Sequence, residues 1–148
     1  MTVYIGSDHG GIALKKAIID KLTAQGINVI NVGTDSEASC DYPDFGFAVA
    51  EAVANKKADF GIVVCKTGVG MSIVANKVKG VRCGLCVNTE MARLTRQHNN
   101  SNCLALGAGN TDINTALNIV DAFLSTDFEG GRHEKRVSKI TSYEDNNG

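Results

Sequence analysis

Phe60-Gly-Ile-Val-Val-Cys65-Lys-Thr-Gly-Val-Gly70-Met-Ser-Ile73-Val74 is the stretch from which the fold is read. Its first six residues show no polar alternation, which is what a strand covered on both faces of a parallel sheet requires. A glycine-rich turn follows, and Ile73 and Val74 then begin a short helix. The same grammar runs outward in both directions. Toward the N-terminus, Val3 to Ile5 is an apolar run ending at Gly6-Ser7. From Gly11, Leu14, Ala17, Ile18 and Leu22 recur at helical spacing as far as Gly26. Ile27 to Val32 reads as a second strand, followed by a helix that opens near Pro43, where proline suits a first turn, and carries Phe47, Ala50 and Val53. Toward the C-terminus, Val81 to Val87 precedes a helix capped by Asn88 and carrying Met91 and Leu94. Cys103 to Leu106 precedes one carrying Ile113, Leu117, Val120 and Leu124.

Five strand-helix units imply an α/β fold, a Rossmann-like open parallel sheet of about five strands with helices on both faces, because each right-handed crossover lays its helix back on the sheet. At 148 residues, with 43% hydrophobic and 21% charged, the expectation is a single domain over 1–148. Residues 129–148 change character. Glu129-Gly-Gly-Arg-His-Glu-Lys-Arg136 reads as a basic loop, followed by a short helix near Val137 to Tyr143 and a frayed polar end, Glu144 to Gly148.

Fifteen Lys plus Arg against sixteen Asp plus Glu give a net charge of −1, too balanced for a broad nucleic-acid or polybasic membrane footprint. A small ligand is the expected partner, with no nucleic acid and no membrane. No apolar run approaches the ~20 residues of a membrane helix, and the N-terminal stretch lacks the marks of a secretory signal, so a cytoplasmic location is expected. The five cysteines, at 40, 65, 83, 86 and 103, are an odd set and read as free thiols. Cys83-Gly-Leu-Cys86 has metal-site spacing, but residues three apart on a strand face opposite ways.

Ligands of open parallel sheets bind beyond the carboxyl ends of the strands. There the sequence sets Ser7-Asp8-His9-Gly-Gly11 and Cys65-Lys66-Thr67-Gly68-Val69-Gly70. Arg96-Gln-His98-Asn99 closes the fourth helix, and the expectation is that all these residues converge on one edge. Alone, each has an ordinary role: Asp8 can cap a helix, His9 can be an exposed turn residue, and a buried Cys65 can be a small hydrophobe. The Thr67 to Gly70 turn changes the weighting, because its N–H groups and the helix that follows favour an anion beside the thiol.

Several chemistries fail on spacing. A phosphatase loop needs arginine six positions after its cysteine, and Met71 stands there. A Walker loop needs Gly-Lys-Ser/Thr after its glycines, whereas Lys66-Thr67 precedes them, and the glycines after the first strand are wrongly spaced for a dinucleotide. His9, His98 and His133 are scattered along the chain without a zinc-hydrolase motif. Arg132 and Arg136, four apart, suit a phosphate monoester. A thiol, a histidine, an anion-binding turn and an arginine pair together point to a sugar phosphate.

Five segments then become recognisable together: Gly6-Ser-Asp-His-Gly-Gly11, Asp41-Tyr-Pro-Asp44, Cys65-x-Thr-Gly-Val-Gly-Met-Ser72 with Ala75-Asn-Lys77, Arg96-Gln-His-Asn99, and Glu129-Gly-Gly-Arg-His133 with Arg136. From Val3 to about Ile140 the chain resembles the B-type ribose-5-phosphate isomerases, in the broader family that includes galactose-6-phosphate isomerase subunits. The resemblance implies a metal-free and cofactor-free aldose–ketose isomerisation of ribose 5-phosphate through an enediolate. It assigns Cys65 as base, Thr67 as its assistant and His98 as opener of the furanose ring. Gly68 to Gly70 with Asn99 would hold the enediolate oxygens, Asp8 the sugar hydroxyls, and His9, Arg132 and Arg136 the phosphate. It also implies a homodimer or tetramer with sites between subunits, residues 129–148 completing the site or the dimer.

Two positions depart from the family pattern. Lys66 stands where glycine usually follows the cysteine, and Gly109 stands near a frequent arginine. Either Lys66 points away from the site, or its ammonium reaches the substrate and partly replaces that arginine. The alternatives are an isomerase of another sugar, such as allose 6-phosphate, galactose 6-phosphate or a free pentose, or an inactive sugar-phosphate-binding relative.

Overall fold

A computed structural model describes residues 1–147. The strands are β1 (Thr2–Ser7), β2 (Asn28–Asn31), β3 (Phe60–Cys65), β4 (Cys83–Leu85) and β5 (Cys103–Gly107). The helices are α1 (Ile12–Ala24), α2 (Tyr42–Ala54), α3 (Val69–Asn76), α4 (Thr89–Asn99), α5 (Ile113–Ser125) and α6 (Arg132–Asn147), and a short 3-10 turn precedes α1. The five strands pair in parallel in the order β2-β1-β3-β5-β4. The chain moves outward from β1 to β2 on one side and from β3 toward β5 and β4 on the other. The carboxyl ends of β1 and β3 therefore flank the switch point at which ligands of such sheets bind.

The β3 pattern fixes which face each residue serves. Ile62 and Val64 join Leu14, Ile18, Ala92 and Ile119 on the face covered by α1, α4 and α5. Val63 and Cys65 join Val49, Val53, Met71 and Ala75 under α2 and α3. Cys65 is therefore delivered to the α2/α3 layer by strand alternation alone. Ile5, Ile62, Leu104 and Leu106 are fully buried, and each contributes about 1.5–3 kcal/mol to holding the sheet between its layers. Lys15 is 1% exposed on α1, a burial its place in a helical pattern does not announce. Its ammonium donates to Asn31 Oδ1 (2.9 Å), the Thr34 carbonyl (2.6 Å) and Asp35 Oδ1 (2.9 Å), which ties down the loop after β2.

Three sequence expectations change. The Val81–Val87 strand contracts to Cys83–Leu85, because the Arg82 N–H is taken by the side chain of Asn102 (2.8 Å) rather than by a ladder carbonyl. The Ile27–Val32 strand contracts to Asn28–Asn31 at the opposite edge. The C-terminal helix is longer than expected. Gly130 and Gly131 take positive φ (70° and 55°) and end the loop early, so α6 starts at Arg132 and runs through the stretch read as frayed. Glu144 there accepts the Gly80 N–H at 2.8 Å, and Asp145 pairs with Lys79 at 3.3 Å. Gly148, the last residue of that expected tail, lies outside the described residues. Among the described residues no helix is long and apolar enough to cross a membrane.

Candidate active site

Beyond the ends of β1 and β3 lies an open cavity of about 440 Å³ lined by Asp8, Tyr42, Cys65, Lys66, Thr67, Val69, Gly70 and Ile73. The Asp8 N–H donates to the Val64 carbonyl at 3.1 Å, which fixes the first loop against the third strand. Asp8 does cap the turn after β1, its Oδ1 accepting from the Gly10 N–H at 2.9 Å, and it lines the cavity as well.

Cys65 is 6% exposed, and its Sγ accepts the Gly68 N–H at 3.2 Å. That bond requires the chain to turn sharply, and Gly68 does so at φ 80°, capping α3. A Cβ at Gly68 would stand 2.6 Å from Leu85 Cδ1 and 2.9 Å from the Leu106 carbonyl carbon, so glycine is required by both conformation and space. Thr67 Oγ1 accepts the Val69 N–H at 3.2 Å. The remaining N–H groups in the first turn of α3 have no intrahelical acceptor, so the positive end of the helix lies beside the sulfur. Gly70 packs against Tyr42, whose ring would lie 2.7 Å from an added Cβ. In sequence Tyr42 stands only within Asp41-Tyr-Pro-Asp44, with no pattern that gives it a role.

Lys66 runs across Gly109. A Cβ at Gly109 would stand 2.9 Å from Lys66 Cγ and 3.6 Å from its Cε, and the Gly109 N–H donates to the Lys66 carbonyl at 2.7 Å. A side chain at 109 and a lysine at 66 thus compete for one space. His9 sits next to the cavity rather than in its lining, and its Nδ1 receives the Cys40 N–H at 3.4 Å and lies 3.7 Å from Cys40 Sγ.

The expected convergence on one edge fails for His98 and Asn99. A helix joining two parallel strands runs back across the sheet, so the last turn of α4 lies at the amino edge, beside Arg82 and Asn102. Asn99 borders Gly84 and Thr95 and accepts the Thr95 hydroxyl at 3.2 Å, away from Cys65. Arg132 and Arg136 lie on α6, which packs against α4.

The histidines are also not all scattered. His98 and His133 stack with centroids 4.1 Å apart and planes 14° apart. Their Nε2 atoms lie 3.9 Å and 3.4 Å from the same Glu129 oxygen. His133 is buried, and desolvation first, then the charges of His98 and Arg132, hold its pKa below the usual histidine value, with Glu129 acting in the other direction. The donor atoms of His98, Glu129 and His133 lie within 4.8 Å of one another, a set a divalent metal could use. Near-parallel rings do not aim their lone pairs at one point, so metal binding would require a ring to turn. Sequence spacing gave no warning of this cluster, because residues 98, 129 and 133 meet only when α6 docks on α4.

The remaining thiols are placed as the sequence implied. All five cysteines are free. Cys83 and Cys86 pack into opposite layers. A hydrogen bond with Cys103 and burial raise the Cys83 thiol, and burial pushes the Cys86 thiol up to about 12.

Residues 3–140 match the family described as Ribose/Galactose Isomerase. The chain belongs to this family. It is 46% identical over 144 residues to the probable ribose-5-phosphate isomerase B of Mycoplasma genitalium, covering 96% of this chain and 95% of that one. It is 45% identical over 142 residues to ribose-5-phosphate isomerase B of Escherichia coli, with the same coverage. Among solved structures, the Clostridium thermocellum ribose-5-phosphate isomerase B superposes with a TM-score of 0.98 at 51% identity, covering all of both chains. The Mycoplasma genitalium enzyme with bound ribulose-5-phosphate gives 0.94 at 45% identity, covering 97% of this chain and 96% of that one. This family member is an isomerase, an intramolecular oxidoreductase.

Proposed function

We propose that this isomerase interconverts ribose 5-phosphate and ribulose 5-phosphate, with Cys65 as the base. The observation that carries the proposal is Cys65 Sγ at 3.2 Å from the Gly68 N–H, at the N-terminus of α3 and on the wall of the cavity. Similarity to relatives named for ribose 5-phosphate, one of them with ribulose-5-phosphate bound, supports the substrate. In the reading, His98 first relays the proton of the anomeric hydroxyl onto the ring oxygen, so that the C1–ring oxygen bond breaks and the furanose opens to the aldehyde. Cys65 sulfur, as thiolate, then takes the proton from C2, and its electrons form a C1–C2 double bond and place charge on O1. Within the Gly68 to Gly70 turn the Gly68 N–H is given to Cys65 Sγ and the Val69 N–H to Thr67 Oγ1, so the Gly70 N–H and the Asn99 amide hold the two oxygens of this enediolate. The thiol returns the proton to C1 while the O2 hydroxyl proton passes to O1, which leaves the ketose with its carbonyl at C2 and the sulfur again a thiolate. Thr67 orients the sulfur and Asp8 holds sugar hydroxyls. His9, Lys66, Arg132 and Arg136 hold the phosphate, Lys66 lying where a side chain at 109 would otherwise run.

One chain does not bring these groups together, since Cys65 lies at the carboxyl edge and His98, Asn99 and α6 at the amino edge. A homodimer in which a second copy supplies His98, Asn99, Arg132 and Arg136 to the cavity resolves this. The exposed apolar residues Val69 and Ile73 on α3, and Met91 and Leu94 on α4, suit such a contact. Incubation of chelator-treated protein with ribose 5-phosphate, following ketose formation beside allose 6-phosphate, galactose 6-phosphate and free ribose, tests the proposal. Turnover of the pentose phosphate is expected. Turnover of another sugar only, or of none, overturns it.

A further inference from the structure

At the amino edge, beneath the starts of β3 and β5, a second cavity of about 300 Å³ has Lys56, Asp59, Arg82, Arg96, Asn100 and Asn102 among its lining residues. Three cations face one carboxylate there, and that carboxylate is already engaged, Asp59 Oδ2 accepting the Thr2 N–H at 2.8 Å. Among the described residues neither arginine nor Lys56 forms a salt bridge. Arg96 is 7% exposed and lies over the Phe60 ring at 5.0 Å, so its charge is held in place rather than left in solvent.

The hydrogen bonds of the two guanidinium groups account for part of each fork. Arg82 Nε donates to the Asn99 carbonyl (2.9 Å) and its Nη2 to the Asn100 carbonyl (2.9 Å). Arg96 Nε donates to the Thr126 carbonyl (3.0 Å), and its Nη1 to the Ser101 carbonyl (2.6 Å) and Asn100 Oδ1 (3.0 Å). The carbonyls at the end of α4 offset some positive charge, but Nη1 of Arg82 and Nη2 of Arg96 receive no acceptor. Ser7 Oγ is the only fully buried side-chain polar atom without a partner among the described residues, so both of these nitrogens remain open to solvent or to an occupant. Burial lowers the pKa of both guanidinium groups, and for Arg96 the charge of Arg82 lowers it further, while Asp127 acts against the shift in Arg96 and Glu144 in Arg82. Two like charges held together under that penalty, with spare donors and no salt bridge, make a receptor for an oxyanion.

We propose that this cavity is a second anion site, taking a tetrahedral oxyanion of the phosphate class between Arg82, Arg96 and Lys56. The site is separate from the Cys65 cavity and does not depend on the substrate assigned there. It lies behind the turn that carries His98 and Asn99, because Arg82 holds the Asn99 carbonyl directly.

Inorganic phosphate is the probe, titrated calorimetrically at constant ionic strength into a His9→Ala, Lys66→Ala, Arg132→Ala, Arg136→Ala quadruple variant, so that the phosphate contacts proposed for the isomerase site are removed. Saturable binding is expected to persist in that background. Lys56→Glu is expected to weaken it about five-fold, and Asp59→Asn to tighten it by a comparable factor, as changes in close charges do. Asn retains an acceptor for the Thr2 N–H, so Asp59→Asn decides the matter even if Lys56→Glu does not fold. Loss of all saturable binding in the quadruple variant, or phosphate affinity indifferent to Asp59→Asn, overturns the site. Failure of ribose 5-phosphate turnover would leave these binding results intact, so the two proposals fail separately.

Discussion

The Cys65 turn and the His98 cluster are built by opposite means. The turn is local: a strand buried over its last five residues, a left-handed Gly68 and the start of α3 place the sulfur against an N–H within three residues of itself. The cluster is assembled from afar, with His98 from the end of α4 stacked on His133 from the start of α6 and both near Glu129 from the loop that joins α5 to α6. A local device is fixed by sequence order, whereas a docked one depends on where two helices land. The two devices also occupy opposite edges of the sheet in one chain, so the proposed chemistry requires them to meet between copies.

Separating the two devices by mutation gives the largest expected effects. Cys65→Ser should lower kcat by about 10³-fold or more with an unchanged thermal midpoint, since it removes the proposed proton carrier and little volume. His98→Asn should lower turnover of the cyclic sugar by about 10²-fold while sparing an open-chain substrate. Mixing these two crippled variants under conditions that exchange subunits should restore activity, because a mixed dimer contains one site with both native groups. Wild-type-like turnover by Cys65→Ser refutes the base assignment. Absence of rescue, once mixed dimers are seen by mass spectrometry, refutes sharing between copies.

The next effect falls on stability and concerns the local device alone. Gly68→Ala places a Cβ 2.6 Å from Leu85 Cδ1 and 2.9 Å from the Leu106 backbone, at φ 80°. A cost of about 1–3 kcal/mol for the left-handed conformation, with the clash added, should appear as a lower urea midpoint. An unchanged midpoint would mean that the turn can relax without that geometry.

The local device was also the legible one. Phe60 to Cys65 matches β3 residue for residue, Asn88 caps α4 through Met91 (2.8 Å), and Pro43 lies in the first turn of α2. These depend on near neighbours, and near neighbours are what periodicity and capping rules describe. Three features lay beyond those rules. The length of β4 depends on Asn102, twenty residues away, taking the Arg82 N–H. The burial of Lys15 depends on acceptors in the loop after β2. The start of α6 depends on two left-handed glycines in a stretch whose basic charge made it read as loop. For the site, Cys65, Thr67, Gly68, Gly70 and Asp8 came from order along the chain. The stacking of His98 on His133 did not, because helix direction and docking decide it.

Lys66 tests how far the local device adapts. Its stem covers Gly109, and the proposal gives its ammonium to the phosphate. Lys66→Gly should raise KM for ribose 5-phosphate about five-fold with little change in kcat, as loss of one exposed charge contact does. Adding Gly109→Arg to that variant should recover the loss, since the space is then free. A KM that is unchanged or improved in Lys66→Gly means that the side chain serves no substrate.

The smallest expected effect belongs to the docked device and is a dependence on pH. Burial, His98 and Arg132 hold the His133 pKa below its unfolded value near 6.5, with Glu129 opposing. Between the folded and unfolded values the unfolded chain binds more protons, so stability rises with pH across that window. The contribution is therefore complete above about pH 6.5 and is lost as pH falls through the window toward the lowered folded value. His133→Gln keeps a donor for Glu129 and removes the titration. The thermal midpoint of the wild type should fall more steeply than that of the variant between about pH 7 and pH 5. Parallel profiles would mean that His133 takes its proton in the folded chain without penalty, with α6 shifting away from α4 to admit water. A steeper fall in the variant would reverse the sign and overturn the assignment of this acid sensitivity to His133.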